Sequence, residues 1–329
     1  MTIDRDRLRA LSQTSSFYKG KFRNLTRTPS HGLTDLLRWQ LDSSAGFPPG
    51  KRFPLQHPDA HRLAAPPDAA QLTWIGHASF LFQYGGCNVL TDPVFAERAS
   101  PLRFAGPKRH TPAALQVADL PDIHLVLISH NHYDHLCEPT IKALYRRFGD
   151  ALCFAVPAGV GTWFRKRGIA NVVELGWWQS QEVPGVGEVF CLPAQHFSGR
   201  GATDRNTTLW CGWLLGQPGH SLYFAGDTGY GDCFTTIGEI FTAIDLALLP
   251  IGAYDPRWFM SPVHVAPEEA VRIHQDIGAR QSVAMHWGTF VLTDEPMDEP
   301  PRRLHQALAE AQLHESAFVV MQHGETRVF

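Results

Sequence analysis

The stretch "IHLVLISHNHYDHL", residues 123–136, decides the fold. Its first six residues, Ile123 to Ile128, form an apolar run of the length and composition of a buried strand. Three histidines and an aspartate then fall within the eight residues from Ser129 to Leu136. Where the chain leaves the extended period, His130 and His132 can project to one side of the turn, while Asp134 and His135 turn toward a second point. One loop can then serve two metal ions. Neutral imidazole and carboxylate oxygen suit zinc and other borderline first-row metals, and a catalytic site keeps a position open for water. Crowded at one strand end without a cation, four such side chains repel one another or go unused.

Outward from this motif, residue 71 begins a succession of short apolar runs bounded by Gly, Pro, Asp or Asn. "QLTWIG", "SFLFQY", "CNVLT", "LCFAV", "EVFCLP", "TLWCGWLL", "SLYFAG", "DLALLPI" and "QSVAMH" read as strands. "EPTIKALYRRFG", "APEEAVRIHQDIG" and "PPRRLHQALAEAQ" repeat apolar residues at three- and four-residue spacing and read as helices. Strands early and strand–helix alternation later predict an α/β (α+β) protein, an αββα sandwich of two mixed sheets with helices outside. Residues 1–70 have a different texture, rich in Pro, Gly and Ser. They are expected to form an irregular arm with one short helix around "LTDLLRWQL", packed on a single domain spanning residues 71–329.

The chain has 329 residues, 44% hydrophobic and 19% charged, enough to bury a large core. A net charge of −3 provides no general basic field, so nucleic acid is not an expected partner. The six cysteines include no Cys-x-x-Cys pair. They read as reduced thiols in a cytoplasmic protein. The first residues, "MTIDRDRLRALSQ", are charged, and no stretch approaches the roughly 18 apolar residues of a membrane span.

Further ligands are expected at other strand ends. His196 in "CLPAQHFSGRG", Asp227 in "LYFAGDTGYG" and His286 in "SVAMHWGTF" each follow an apolar run. His77 and His264 sit at element boundaries, where they could contact substrate or the ligands. His31, His57, His61 and His110 are read as loop residues, and His220, His305, His314 and His323 as surface residues.

"TWIGHASFLF", "LTDPVFAERASPLRFAGPKRH", "VLISHNHYDHL", "PAQHF", "FAGDTGYGDCF", "LLPIGAYDPRWFM", "HVAPEEAVRIHQDIGA" and "MHWGTF" together resemble the N-acyl-phosphatidylethanolamine-hydrolysing phospholipase D family, as a bacterial-type member. That family belongs to the metallo-β-lactamase fold superfamily. The resemblance implies a zinc phosphodiesterase with two Zn2+ per chain, releasing N-acylethanolamine and phosphatidic acid from a phospholipid substrate. By the same resemblance His130, His132 and His196 hold one zinc, Asp134, His135 and His286 the other, and Asp227 bridges both. Two such ions would acidify a shared water, which Asp134 is expected to orient, and His264 or a zinc-bound water is the candidate donor of a proton to the leaving alkoxide.

A flavin-linked di-iron oxidoreductase of this fold is expected to carry Glu in place of His132, and a β-lactamase lacks the bridging aspartate. A hydrolase of other small phosphodiesters or of lactones shares all the ligands and stays open. A non-catalytic, metal-stabilised binding module is the alternative of another class. "GVGTWFRKRG", residues 159–168, sets Trp163 and Phe164 beside Arg165, Lys166 and Arg167, a mixture suited either to peripheral membrane contact or to an amphipathic helix with buried aromatics. A homodimer is also allowed.

Overall fold

In the computed structural model, which describes residues 1–26, 32–42 and 52–329, the apolar runs form two seven-stranded sheets. The arm supplies strand β1 (Thr2–Ile3), helix α1 (Arg5–Ser12), hairpin strands β2 (Phe17–Tyr18) and β3 (Lys21–Phe22), and helices α2 (Leu33–Asp42) and α3 (Ala60–Ala64). The first sheet holds β4 (Gln71–Gly76), β5 (Ser79–Tyr84), β6 (Cys87–Thr91), β7 (Leu125–Leu127), β8 (Cys153–Pro157) and β9 (Val172–Leu175), with β18 (Thr326–Val328) on the β4 edge. The second holds β10 (Ser180–Val183), β11 (Gly187–Leu192), β12 (Gly212–Gln217), β13 (His220–Phe224), β15 (Leu246–Pro250), β16 (Gln281–Met285) and β17 (Phe318–Val319). The short β14 (Phe241–Thr242) pairs instead with β1 and so ties the first residues to the connection between β13 and β15.

Each sheet is antiparallel along one half and parallel along the other. In the first the change falls at β6, in the second at β13. Parallel neighbours need crossovers. Helices α4 (Glu138–Phe148) and α5 (Gly161–Arg165) serve the first sheet. Helices α6 (Cys233–Ile240), α7 (Arg257–Met260), α8 (Pro267–Asp276) and α9 (Glu299–Glu310) serve the second.

Strand β7 shows how the layers form. Leu125 and Leu127 pack in the core between the sheets, which also holds Phe190 and Trp213. Val126 and Ile128 pack in an outer core with Ile141, Leu144 and Phe164 of α4 and α5. Both faces of the strand are buried, so its sequence is an unbroken apolar run. The expected αββα sandwich is the fold observed.

Several details differ from the sequence reading. The arm has two further helices, α1 and α3, opened by Asp4, which accepts from Arg7 N at 3.0 Å, and Asp59, which accepts from His61 N at 2.8 Å. Both aspartates satisfy helix N-terminal amides, a local signal that the overall Pro, Gly and Ser content of residues 1–70 does not register. His323, read as a surface residue, is buried and stacks on Trp74 with ring centroids 4.0 Å apart. Phe164 is fully buried against Phe154, so only Trp163 of the aromatic pair is partly exposed. His31 lies outside the described residues.

Candidate metal centre

The site grows from strand ends along one edge of the sandwich. His77 follows β4, Asp92 follows β6, the 130–135 loop follows β7, His196 follows β11, Asp227 follows β13 and His286 follows β16. His77, Asp92 and His286 adopt left-handed backbone conformations, with φ of 58°, 30° and 62°. Such values are uncommon for residues other than glycine and concentrate where a side chain must be aimed against local preference.

The seven residues expected as ligands are brought together. His130 Nε2 lies 2.7 Å from His132 Nδ1, which lies 3.3 Å from His196 Nε2. Asp134 Oδ2 lies 3.4 Å from His135 Nε2 and 3.6 Å from His286 Nε2. Asp227 stands between the groups. Its Oδ2 is 3.1 Å from His135 Nε2, 3.8 Å from His196 Nε2 and 4.0 Å from His130 Nε2, and its Oδ1 is 3.1 Å from His286 Nε2.

Three of these converging atoms, His135 Nε2, His286 Nε2 and Asp227 Oδ1, are buried without an aligned hydrogen-bond partner among the described residues. Buried polar atoms left so are costly. A divalent cation satisfies such a set, and imidazole nitrogen with carboxylate oxygen is the donor chemistry of first-row metals. The residues therefore fit a metal.

Charge follows the same geometry. Burial outweighs all else at His130 and His196, whose pKa values lie well below the usual histidine range, and brings His132 down to about 4. All three are neutral, as a metal ligand must be. Burial favours neutral His135 as well, but Asp227, Asp134 and Asp92 together hold it well above its ordinary value. Burial likewise works against the carboxylates of Asp134 and Asp227, yet the surrounding histidines keep both well below the usual range. The pocket is built to place positive charge beside these two carboxylates.

The surrounding residues fix ring orientations. Asp92, fully buried, accepts from His135 Nδ1 at 2.6 Å and from Ser129 N at 2.7 Å. This holds His135 Nε2 toward the centre. His196 Nδ1 donates to Val263 O at 2.9 Å, turning its Nε2 inward in the same way. Asp92 escaped the sequence reading, although an aspartate ending an apolar run in "LTDPVF" is the same strand-end signal that marks Asp227. His77 Nε2 donates to Asp134 Oδ2 at 3.0 Å, and burial brings its pKa down to about 3. His264 lies beside both groups, its ring 5.1 Å from that of His196 and 5.6 Å from that of His286, with Nδ1 unpartnered among the described residues.

Two contacts reach the site from afar. Asn24 of the arm donates to His196 O at 2.9 Å and accepts from His196 N at 3.1 Å, gripping both sides of that residue's backbone. Arg200, in the loop after His196, donates from Nη1 to Asn131 O at 2.7 Å and Leu136 O at 2.8 Å, so it spans the 130–135 loop.

The chain matches the family description "Beta-lactamase superfamily domain" over residues 87–287. N-acyl-phosphatidylethanolamine-hydrolyzing phospholipase D 1 of Caenorhabditis elegans is 41% identical over 264 residues, covering 77% of this chain and 74% of that protein. A metal-dependent hydrolase of Pyrobaculum neutrophilum is 30% identical over 258 residues, 74% of this chain and 95% of that one. An isothiocyanate hydrolase from Delia radicum gut bacteria shares the fold, with a TM-score of 0.62 at 20% identity over 79% of this chain and 98% of that chain. Joined to a strand-end cluster whose unpartnered atoms fit a metal, these likenesses make the chain a metal-dependent hydrolase that belongs to the N-acyl-phosphatidylethanolamine-hydrolysing phospholipase D family of the β-lactamase superfamily.

Proposed function

We propose that the protein is a dinuclear zinc phosphodiesterase that hydrolyses N-acyl-phosphatidylethanolamine to N-acylethanolamine and phosphatidic acid. In this reading His130, His132 and His196 hold one zinc, Asp134, His135 and His286 hold the second, and Asp227 is shared. The observation that carries it is the position of Asp227, within 4.0 Å of ring nitrogens from both groups. The substrate assignment draws its support from the 41% identical relative that bears this activity in its name.

Bound zinc would supply Lewis acidity, making water more acidic and offsetting charge on the phosphate oxygens. The chain's own residues do the rest. Asp134, held by His77, accepts a hydrogen bond from the attacking water and aims it at phosphorus. His264 gives a proton to the leaving oxygen of the N-acylethanolamine. Burial brings its pKa down to about 4, so it is neutral in the free enzyme, and an arriving phosphodiester anion favours its protonation.

The test is a side-by-side assay of purified, metal-quantified protein on N-acyl-phosphatidylethanolamine, a simpler phospholipid, a small aryl diester and an acyl lactone, each with and without chelator. Preferential, chelator-sensitive turnover of the first substrate is expected. Preference for the aryl diester or the lactone would reassign the substrate, and no turnover of any would leave a metal-binding module. His264→Gln should lower kcat about a hundredfold or more without loss of metal, the range of general acid–base catalysis. Unchanged turnover would remove His264 from the mechanism.

A further inference from the structure

A cleft of 920 Å³ has Tyr133, the residue between His132 and Asp134, in its wall. Its lining carries six cations, Arg98, Arg103, Lys142, Arg146, Arg167 and Arg200, against two carboxylates, Glu97 and Glu138, in a chain whose net charge is −3. Both carboxylates are already engaged. Glu97 pairs with Lys108 at 2.9 Å, and Glu138 with Lys142 and Arg167 at 2.7 Å each. Arg200 donates from Nη1 to the carbonyls of Asn131 and Leu136, which neutralise no charge. Arg103 and Arg146 make no ion pair among the described residues. The cleft therefore holds an excess of positive charge that the protein does not itself compensate.

Its edge is apolar. Leu102 lines the cleft and is 48% exposed, and Phe104, on the other side of Arg103 in the same loop, is 80% exposed. Trp163 lines it too, with the Arg167 guanidinium 3.8 Å from its ring centroid. Cations flanked by exposed apolar side chains match the boundary of a bilayer, where anionic phosphate lies above acyl chain. A soluble anion would be met by the arginines alone and would leave Leu102 and Phe104 in water.

We propose that this cleft binds the phosphate headgroup of an anionic phospholipid in a membrane, with Leu102 and Phe104 seated at the headgroup–acyl boundary. The lipid held there is an anchor beside the metal centre, distinct from the molecule being hydrolysed. The proposal rests on the phospholipase reading only in that anchor and substrate share one bilayer.

The metal-loaded protein is sedimented with vesicles of phosphatidylcholine alone or doped with phosphatidic acid, and compared with Arg103→Glu/Arg146→Glu and Leu102→Ser/Phe104→Ser. Wild type should partition into the doped vesicles at least about tenfold more strongly than either double variant, as expected when interfacial cations or apolar contacts are removed. All three proteins should turn over a small soluble diester alike, which shows that the variants are folded. Equal partitioning of wild type and variants would overturn the proposal. So would displacement of wild type from doped vesicles by an equal concentration of inorganic phosphate, which would make the cleft a free-anion site. Vesicle binding without hydrolysis of any diester would instead overturn the catalytic reading and leave the anchor standing.

Discussion

Asp227 is nearly fully buried and faces ring nitrogens of four histidines, so its negative charge matters more than its shape. Asparagine preserves the shape and removes the charge. On the dinuclear reading, Asp227→Asn is expected to reduce bound metal from about two per chain to one or fewer, and turnover by at least about a hundredfold. Metal analysis of the purified variant checks this, and full occupancy with near-normal turnover would sink the dinuclear reading. Asn24 acts one step further out, through the His196 backbone. Asn24→Ala should weaken metal retention about tenfold in chelator competition, at the low end of losses from residues that only orient ligands. Asn24→Asp keeps the acceptor for His196 N but loses the donor to His196 O, so an intermediate loss is expected. An unchanged metal affinity in both would make the clamp irrelevant to the site. These two residues also mark what a sequence discloses. Asp227 is legible because its signal is local, an aspartate at the end of an apolar run. Asn24 is not, because its meaning lies in a contact across 172 positions that no local pattern encodes.

Among elements, β7 and β15 were readable for a physical reason: buried on both faces, they carry unbroken apolar runs. Strands β9 and β10 were missed because their partly exposed residues dilute the pattern, as in "SQEV". Short α5 was weighed between membrane and core, and Phe164 decides for the core at its own position. Phe164→Ala should cost about 3–5 kcal/mol in chemical denaturation, the usual range for a buried phenylalanine. A change below about 1 kcal/mol would contradict its place in the outer core. The ends of β15 and β16 meet more closely than any side chain permits: a Cβ on Gly252 would lie 2.2 Å from His286 O. Gly252→Ala should therefore lower stability by about 1–3 kcal/mol, as overpacking does, and reduce metal content by displacing the His286 backbone. Native thermal stability together with full metal content would refute that account.

For the molecule as a whole, His323 links acidity to unfolding. Burial, helped by the nearby positive charge of Arg109, lowers its pKa from 6.5 to about 3. The unfolded chain takes up this proton as pH falls below about 6.5, while the folded chain refuses it until far lower. The contribution is complete above that pH and declines below it by up to about 1.4 kcal/mol per pH unit. His323→Gln should accordingly show a shallower fall in urea midpoint between roughly pH 6.5 and 4 than wild type, and parallel curves would exclude this role. The reach of Asn24 has a consequence for biosynthesis. A ribosome delivers Asn24 early, His196 172 positions later and His286 later still, so the cluster can close only after His286 has emerged, and His196 is clamped only once the arm has docked. Metal held at native affinity by a newly made polypeptide thus reports that arm and strand ends have all found their places: a product truncated before His286 is expected to lose the ion, and one with an undocked arm to hold it about tenfold more weakly.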